Sequence, residues 1–262
     1  MDIIEAHNIN YSIKNRTIFN GLDINIEKGS FVSIIGVNGV GKTTLLKLLS
    51  GEIITNNNIK IDNVQINKFN IDEISKKVSS LTYYNEFFSK TVMQEILQER
   101  KNVSVFEINK VRKILDEFNL LYLEKMSVQK LSYAENQIIA LIKSIVKKPK
   151  IIFLDNAFSK LDVDKRTELF DYLKKFAKEN DITIISTTNN IDDLKYSDRI
   201  ILLKYSNIFF DGNYQELINN VNLYEEGLKL PWEIDFSNKL NLYELIDKTY
   251  DNIQEIVGDL CK

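Results

Sequence analysis

An α/β fold, with helices packed against a sheet containing parallel strands, is what this sequence predicts, and three observations carry the expectation. An apolar run, Phe31–Ile35, leads through a glycine-rich turn into Leu45, Leu46, Leu48 and Leu49 at helical spacing. A second apolar run, Ile151–Leu154, is bounded by Pro149 and Asp155, which suits an interior parallel strand whose carboxyl end delivers an acid to a crevice. The chain has 262 residues, 44% hydrophobic and 27% charged, enough for one substantial core and a small appendage.

The same composition excludes disordered, collagen-like and bare repeat chains. No apolar stretch approaches the roughly 18 residues of a bilayer-spanning helix, so the chain is not expected to cross a membrane by itself. Its N-terminus, MDIIEAHNIN, carries acids where a secretory signal carries a basic segment and an apolar run. The single cysteine, Cys261, cannot form an internal disulfide, and a reducing cytosol is the expected compartment. A net charge of −3 supplies no general attraction for nucleic acid, which is not expected as a partner.

Glycine is scarce, at nine residues, yet Gly36, Gly39 and Gly41 fall in one short window. There Gly36-Val37-Asn38-Gly39-Val40-Gly41-Lys42-Thr43 fits G-x-x-x-x-G-K-[ST], between the first apolar run and its helix, with Thr44 following. Glycines let successive backbone N–H groups converge on phosphates, the helix beginning near Lys42 aims its positive end at them, and Lys42 reaches the β and γ phosphates. Thr43 offers a hydroxyl to Mg²⁺, and Asp155 supplies the carboxylate that the same metal needs. ATP and Mg²⁺ are the cofactors these residues imply.

Along nearly its whole length the chain resembles the ATP-binding subunits of ABC transporters, with the matching segments in the family's order. Leu131-Ser132-Tyr133-Ala134-Glu135 stands where that family has its LSGGQ signature, followed by an expected helix over Asn136–Val146 and then by Asp155. Ser159-Lys160-Leu161-Asp162 looks like the D-loop, Ile182–Thr187 like the next core strand, and Ser197–Leu203 like the strand after the switch region. Gly212–Leu217 and Gly227-Leu228-Lys229-Leu230-Pro231 resemble the C-terminal extension of the energy-coupling factor (ECF) class, and Ala157 agrees with that class. Leu242, Leu245, Ile246, Thr249, Ile253, Ile256, Val257 and Leu260 recur at three- and four-residue steps, predicting a terminal amphipathic helix that packs on its own domain or on a second subunit.

The resemblance implies a P-loop NTPase of the ABC type: a mixed-sheet core with a helical insert, plus a small C-terminal helical appendage. Residues 1–212 would form the nucleotide-binding domain, with the insert at about 84–147, and residues 213–262 the extension. Val105, Ile108, Val111, Ile114, Leu115 and Phe118 place a helix in the insert.

Departures from the family's pattern fall on the groups that hydrolyse ATP. Asn156 replaces the glutamate that polarises the attacking water, and Thr188 aligns with the histidine that contacts the γ-phosphate. The chain's one histidine, His7, is read as structural. Tyr83 or Tyr84 takes the place of the glutamine that reports nucleotide state, and Ile13 that of the aromatic that stacks on adenine. Both signature glycines have become Tyr133 and Ala134, while Ser132 remains to donate. The implied function is that of an ATP-binding subunit, the hydrolysis-impaired half of a heterodimer with a second ABC ATPase, peripheral on the cytoplasmic face of the membrane through a polytopic membrane component. The alternative is a regulatory module outside transport, in which ATP binding acts as a switch without productive hydrolysis.

Overall fold

Two sheets share one helix between them in the computed structural model, which describes residues 1–98 and 103–261; positions 99–102 of the expected insert lie outside the described residues. Strands β1 (Asp2–Ile13) and β2 (Arg16–Glu27) largely alternate apolar and polar residues, so Ile4, Ala6, Ile9, Leu22, Ile24 and Ile26 are buried while His7, Asn10, Asp23 and Asn25 meet water. They pair antiparallel, and β1 also pairs with β4 (Asn58–Ile61), which pairs with the short β5 (Val64–Gln65). The resulting order is β2-β1-β4-β5.

The second sheet runs β10-β9-β3-β8-β7-β6, from β3 (Phe31–Ile35), β6 (Val78–Thr82), β7 (Ile151–Asp155), β8 (Thr183–Thr187), β9 (Arg199–Lys204) and β10 (Asn207–Gly212). All its pairings are parallel except that of β10, which closes one edge as a hairpin. Thr82 lies level with Asp155, and Asp155 with Thr187, so three strands end on one line. Both faces of this sheet are covered, which is why its central strands read as unbroken apolar runs. Ile151 and Phe153 pack with Leu45, Leu48 and Leu49 of α1 (Lys42–Ser50), which separates the two sheets. Ile152 and Leu154 point the other way, toward α4 (Val105–Glu117), α5 (Tyr133–Val146) and α6 (Val163–Asn180).

The smaller helices α2 (Ile71–Lys77) and α3 (Val92–Leu97) support β6 and α5 respectively. In the C-terminal segment, α7 (Tyr214–Asn220), the start of α8 (Trp232–Leu242) and the stretch between them bury Leu217, Ile218, Leu228 and Ile234 against Ile35, Ile191, Leu194 and Leu202. Among the described residues no helix is long and apolar enough to cross a membrane.

Three sequence-based boundaries move. Helix α5 begins at Tyr133 rather than Asn136, because Ser132 and Glu135 form a capping box that draws the signature into the first turn. The helical pattern after the D-loop reads as a helix over Asp162–Lys178, and α6 starts one residue later because Asp162 caps it, accepting from the Lys165 N–H at 2.8 Å. The terminal stripe is not one helix. Glu244 turns the chain with a φ of 59°, and Asn252 caps a separate α9 (Ile253–Leu260). Only Ile246, Thr249 and Ile256 of that stripe are buried, and Leu242 is 78% exposed. Within α4, Val105 faces solvent while Val111, Ile114 and Leu115 fill the core.

Candidate functional site

The loop from Gly36 to Thr43 leaves the end of β3 and enters α1. At Gly41 φ is 115°, and a Cβ there would lie 2.8 Å from Ile18 Cγ2 and 2.9 Å from Phe19 Cζ. Gly36 has φ 152° and no room either, since its Cβ would meet the Leu203 carbonyl at 2.7 Å. Both glycines are therefore demanded by the loop's path as well as by what approaches it. Gly39 sits at the tip with φ 80° and open space around it, flanked by Val37, Asn38 and Val40. Thr43 and Thr44 occupy the first turn of α1, whose free N–H groups point back along the loop.

Lys42 is buried beneath this loop, its Nζ donating to the Gly36 carbonyl at 2.6 Å and the Val37 carbonyl at 3.1 Å. Burial pushes the ammonium down to a pKa of about 8, against the upward pull of Asp155. A charge held with carbonyl partners alone gains strongly from an anion, so the loop is set to receive phosphate.

Asp155 ends β7 beside it. Its Oδ1 accepts from the Thr43 hydroxyl at 2.9 Å and the Thr187 hydroxyl at 2.7 Å. Two hard oxygen ligands at the mouth of a phosphate loop fit Mg²⁺, which binds one or two protein oxygens and takes the rest of its shell from waters and phosphates. A magnesium ion there would neutralise charge on the bound phosphates.

Asn156, next in the chain, has φ 49°, a left-handed conformation that asparagine tolerates better than most residues. Its backbone N–H donates to the Thr187 carbonyl at 3.1 Å, and its carbonyl accepts from the Ser159 N–H at 3.2 Å. The residue is partly exposed, and its side-chain amide, unlike a carboxylate, does not serve as a general base for water. An amide cannot accept that proton.

Thr188 does not face the phosphate loop. It is buried, and its hydroxyl donates to Asp193 Oδ2 at 2.7 Å, inside a network completed by Arg166 Nε at 3.1 Å from Asp193 Oδ1. Burial pushes the Asp193 carboxyl up, with the Thr188 hydroxyl and Arg166 pulling against it. The residue that does reach the loop is its neighbour Asn189, whose Nδ2 donates to Asn38 Oδ1 at 2.9 Å. Sequence reading missed Asn189. Thr188 and Asn189 are adjacent polar residues of similar size, and the bonds of Thr188 to Asp193 and of Asp193 to Arg166 are what turn Thr188 away from the loop.

Of the two tyrosines after β6, Tyr83 is half exposed, with Lys160 Nζ 5.1 Å from its ring centre and Gln137 Nε2 donating to its carbonyl. Lys160 also lies 6.0 Å from the Tyr133 ring, so the D-loop, the signature and the end of β6 are tied together. Tyr84 is more exposed and accepts from the Thr82 hydroxyl through its carbonyl.

The signature forms a separate group. Leu131 and Ala134 pack on the helical core, Tyr133 donates to the Ala157 carbonyl at 3.4 Å, and Ser132 Oγ accepts from the Glu135 N–H at 3.3 Å. Among the described residues no hydrogen bond joins it to the phosphate loop. Ile13, at the end of β1, is 47% exposed. His7 lies on the outer surface, its Nδ1 3.6 Å from Asp23.

A family model described as ABC transporter matches residues 19–159, from the middle of β2 to the D-loop. The energy-coupling factor transporter ATP-binding protein EcfA1 of Ligilactobacillus salivarius is 31% identical, with 100% of this chain and 96% of that protein covered. EcfA1 of Oenococcus oeni is 28% identical over 100% of this chain and 98% of its own length. Among solved structures, CbiO1 from Clostridium perfringens, described as part of the ABC transporter complex CbiONQ, superimposes with a TM-score of 0.74 at 25% identity, covering 92% of this chain and 95% of that one.

Proposed function

The chain belongs to the ABC transporter family of ATP-binding proteins, and from that premise we propose that it is the nucleotide-binding subunit of an ECF-like membrane transporter, acting as the hydrolysis-impaired half of a heterodimer. The observation that carries this reading is the asymmetry at the end of β7: Asp155 holds Thr43 and Thr187 beside Lys42, as MgATP binding needs, while Asn156 follows it where a proton acceptor is required. In this reading Gly36–Thr44 and Asp155 bind MgATP, and Ser132 is presented to a nucleotide held by the partner ATPase. A general base is commonly worth 10² to 10⁴ in rate, so a site lacking one turns over negligibly. The subunit would sit peripherally at the cytoplasmic face, held by a polytopic membrane component. Residues 1–212 would be the nucleotide-binding domain and 213–262 its extension.

Useful turnover would then come only from the site built on the partner's phosphate loop. In the co-purified complex, replacing the lysine of that loop should abolish ATPase activity, whereas Lys42→Ala should cost much less, mainly through weaker dimer closure. Equal losses would overturn the assignment of Asn156 as disabling. The tyrosine, Tyr83 or Tyr84, at the place of the state-reporting glutamine favours a second reading, a regulatory ATP-binding module outside transport; purification without any membrane component would support it.

A further inference from the structure

Beside the phosphate loop, β1 presents no exposed aromatic ring. Ile13 is aliphatic, and Tyr11 is packed on the core between the sheets. β1 and β2 are joined by a tight turn at Lys14-Asn15, with Lys14 at φ 54°, and this register sets Arg16 directly opposite Ile13. From there the guanidinium reaches the tip of the phosphate loop, its Nη2 donating to the Gly39 carbonyl at 2.9 Å. Arg16 thereby forms one wall of a crevice of about 490 Å³ that runs beside Val37–Val40. Lys204, paired with Glu226 at 2.7 Å, fixes the opposite wall. One N–H of the guanidinium is used by Gly39, and no carboxylate pairs with Arg16 among the described residues. Its planar face remains to be covered, and a guanidinium stacks on aromatic systems as an ammonium cannot.

We propose that Arg16 carries the nucleotide base: its guanidinium plane, steadied by the Gly39 carbonyl, takes the place of an aromatic ring. The proposal rests on the reading that a nucleoside triphosphate binds at Lys42, and it adds which residue holds the other end. A cation over a π face, partly shielded from water, supports an affinity gain of about tenfold.

Calorimetry on the purified chain tests this with two probes, MgATP and magnesium tripolyphosphate, which has no base. Arg16→Ala is expected to weaken MgATP about tenfold and leave tripolyphosphate within about twofold; Arg16→Trp should recover the loss, and Arg16→Lys should not. Equal weakening of both probes by Arg16→Ala would overturn the proposal, because the arginine would then serve the phosphate loop. Full affinity in Arg16→Lys would overturn it too, since charge without a plane would suffice. If the unmodified chain binds neither probe, the nucleotide-binding reading itself falls; if it binds both with one affinity, only the base platform falls.

Discussion

Replacing Lys42 with methionine should abolish nucleotide binding and yet stabilise the empty protein at neutral pH. Lys42 is 6% exposed, and burial lowers its pKa from 10.5 to about 8. At 1.36 kcal/mol per unit, that drop bounds the penalty on the charged form at about 3 kcal/mol. Water that still reaches the ammonium, and the two hydrogen bonds to Gly36 and Val37 that are lost with it, reduce the net gain to roughly 1 kcal/mol. For a chain of this size that is a rise of about 2–4 °C in Tm. The pH dependence identifies the cause. Between about pH 8 and pH 10.5 the unfolded chain keeps a proton that the folded chain has shed, so the unmodified protein gains stability as pH rises through that window. The advantage of Lys42→Met should be full below pH 8 and gone near pH 10.5. MgATP should raise the Tm of the unmodified chain by mass action and leave the variant unmoved. Thermal melts from pH 6 to 10.5, with and without MgATP, measure all of this. A lower Tm for the variant at pH 7, or a gap that persists at pH 10.5, would refute the reasoning.

The isolated chain should bind MgATP with negligible hydrolysis, and Asn156→Glu should restore little of it. Glutamate at φ 49° is strained by about 1 kcal/mol, and the signature residues Tyr133 and Ala134 are unchanged, so a phosphate-release assay showing a gain of 10² or more would contradict this. Gly41→Ala should destabilise the fold by about 2–4 kcal/mol and remove the ATP-induced Tm shift, because its Cβ would press on Ile18 and Phe19 at a φ that alanine resists. Denaturant unfolding measures the first effect, and an unchanged midpoint would mean the loop can rearrange.

How much was legible in the sequence depended on whether local rules decided the outcome. β3 appears with the expected limits, Phe31–Ile35, because glycine at position 36 stops an apolar strand buried on both faces. The meeting of Thr43 with Asp155 follows once both motifs are seen, since parallel strands bring their carboxyl ends level. In the switch region Asn189, not Thr188, stands at the phosphate loop. The region's sequence, STTNN, offers adjacent polar residues of similar size, and only the burial of Asp193 with Arg166 decides that Thr188 turns inward and Asn189 outward. The break before α9 was invisible to periodicity, because a stripe at helical spacing says nothing of a residue such as Glu244 adopting a left-handed turn. The position of Arg16 at the loop tip depends on hairpin register, which no local sequence pattern specifies.

Phosphate binding and hydrolysis can separate in this fold because they are rooted differently. The phosphate loop is a backbone structure: Gly36 and Gly41 are required by the positions of the Leu203 carbonyl, Ile18 and Phe19, and Lys42 is enclosed by the same loop. Changing any of these disturbs the packing of β3 and α1 before it touches chemistry. Catalytic acceptors, by contrast, are side chains that project into the crevice from positions whose backbone does the structural work. At Asn156 the N–H and carbonyl bond to Thr187 and Ser159 whatever the side chain is, and at Asn189 the amide reaches solvent-exposed Asn38. The fold therefore tolerates loss of the proton acceptor at a cost near zero while resisting loss of the phosphate cradle. In this chain the phosphate cradle is therefore tied to the packing of β3 and α1, while the side chain at position 156 is not.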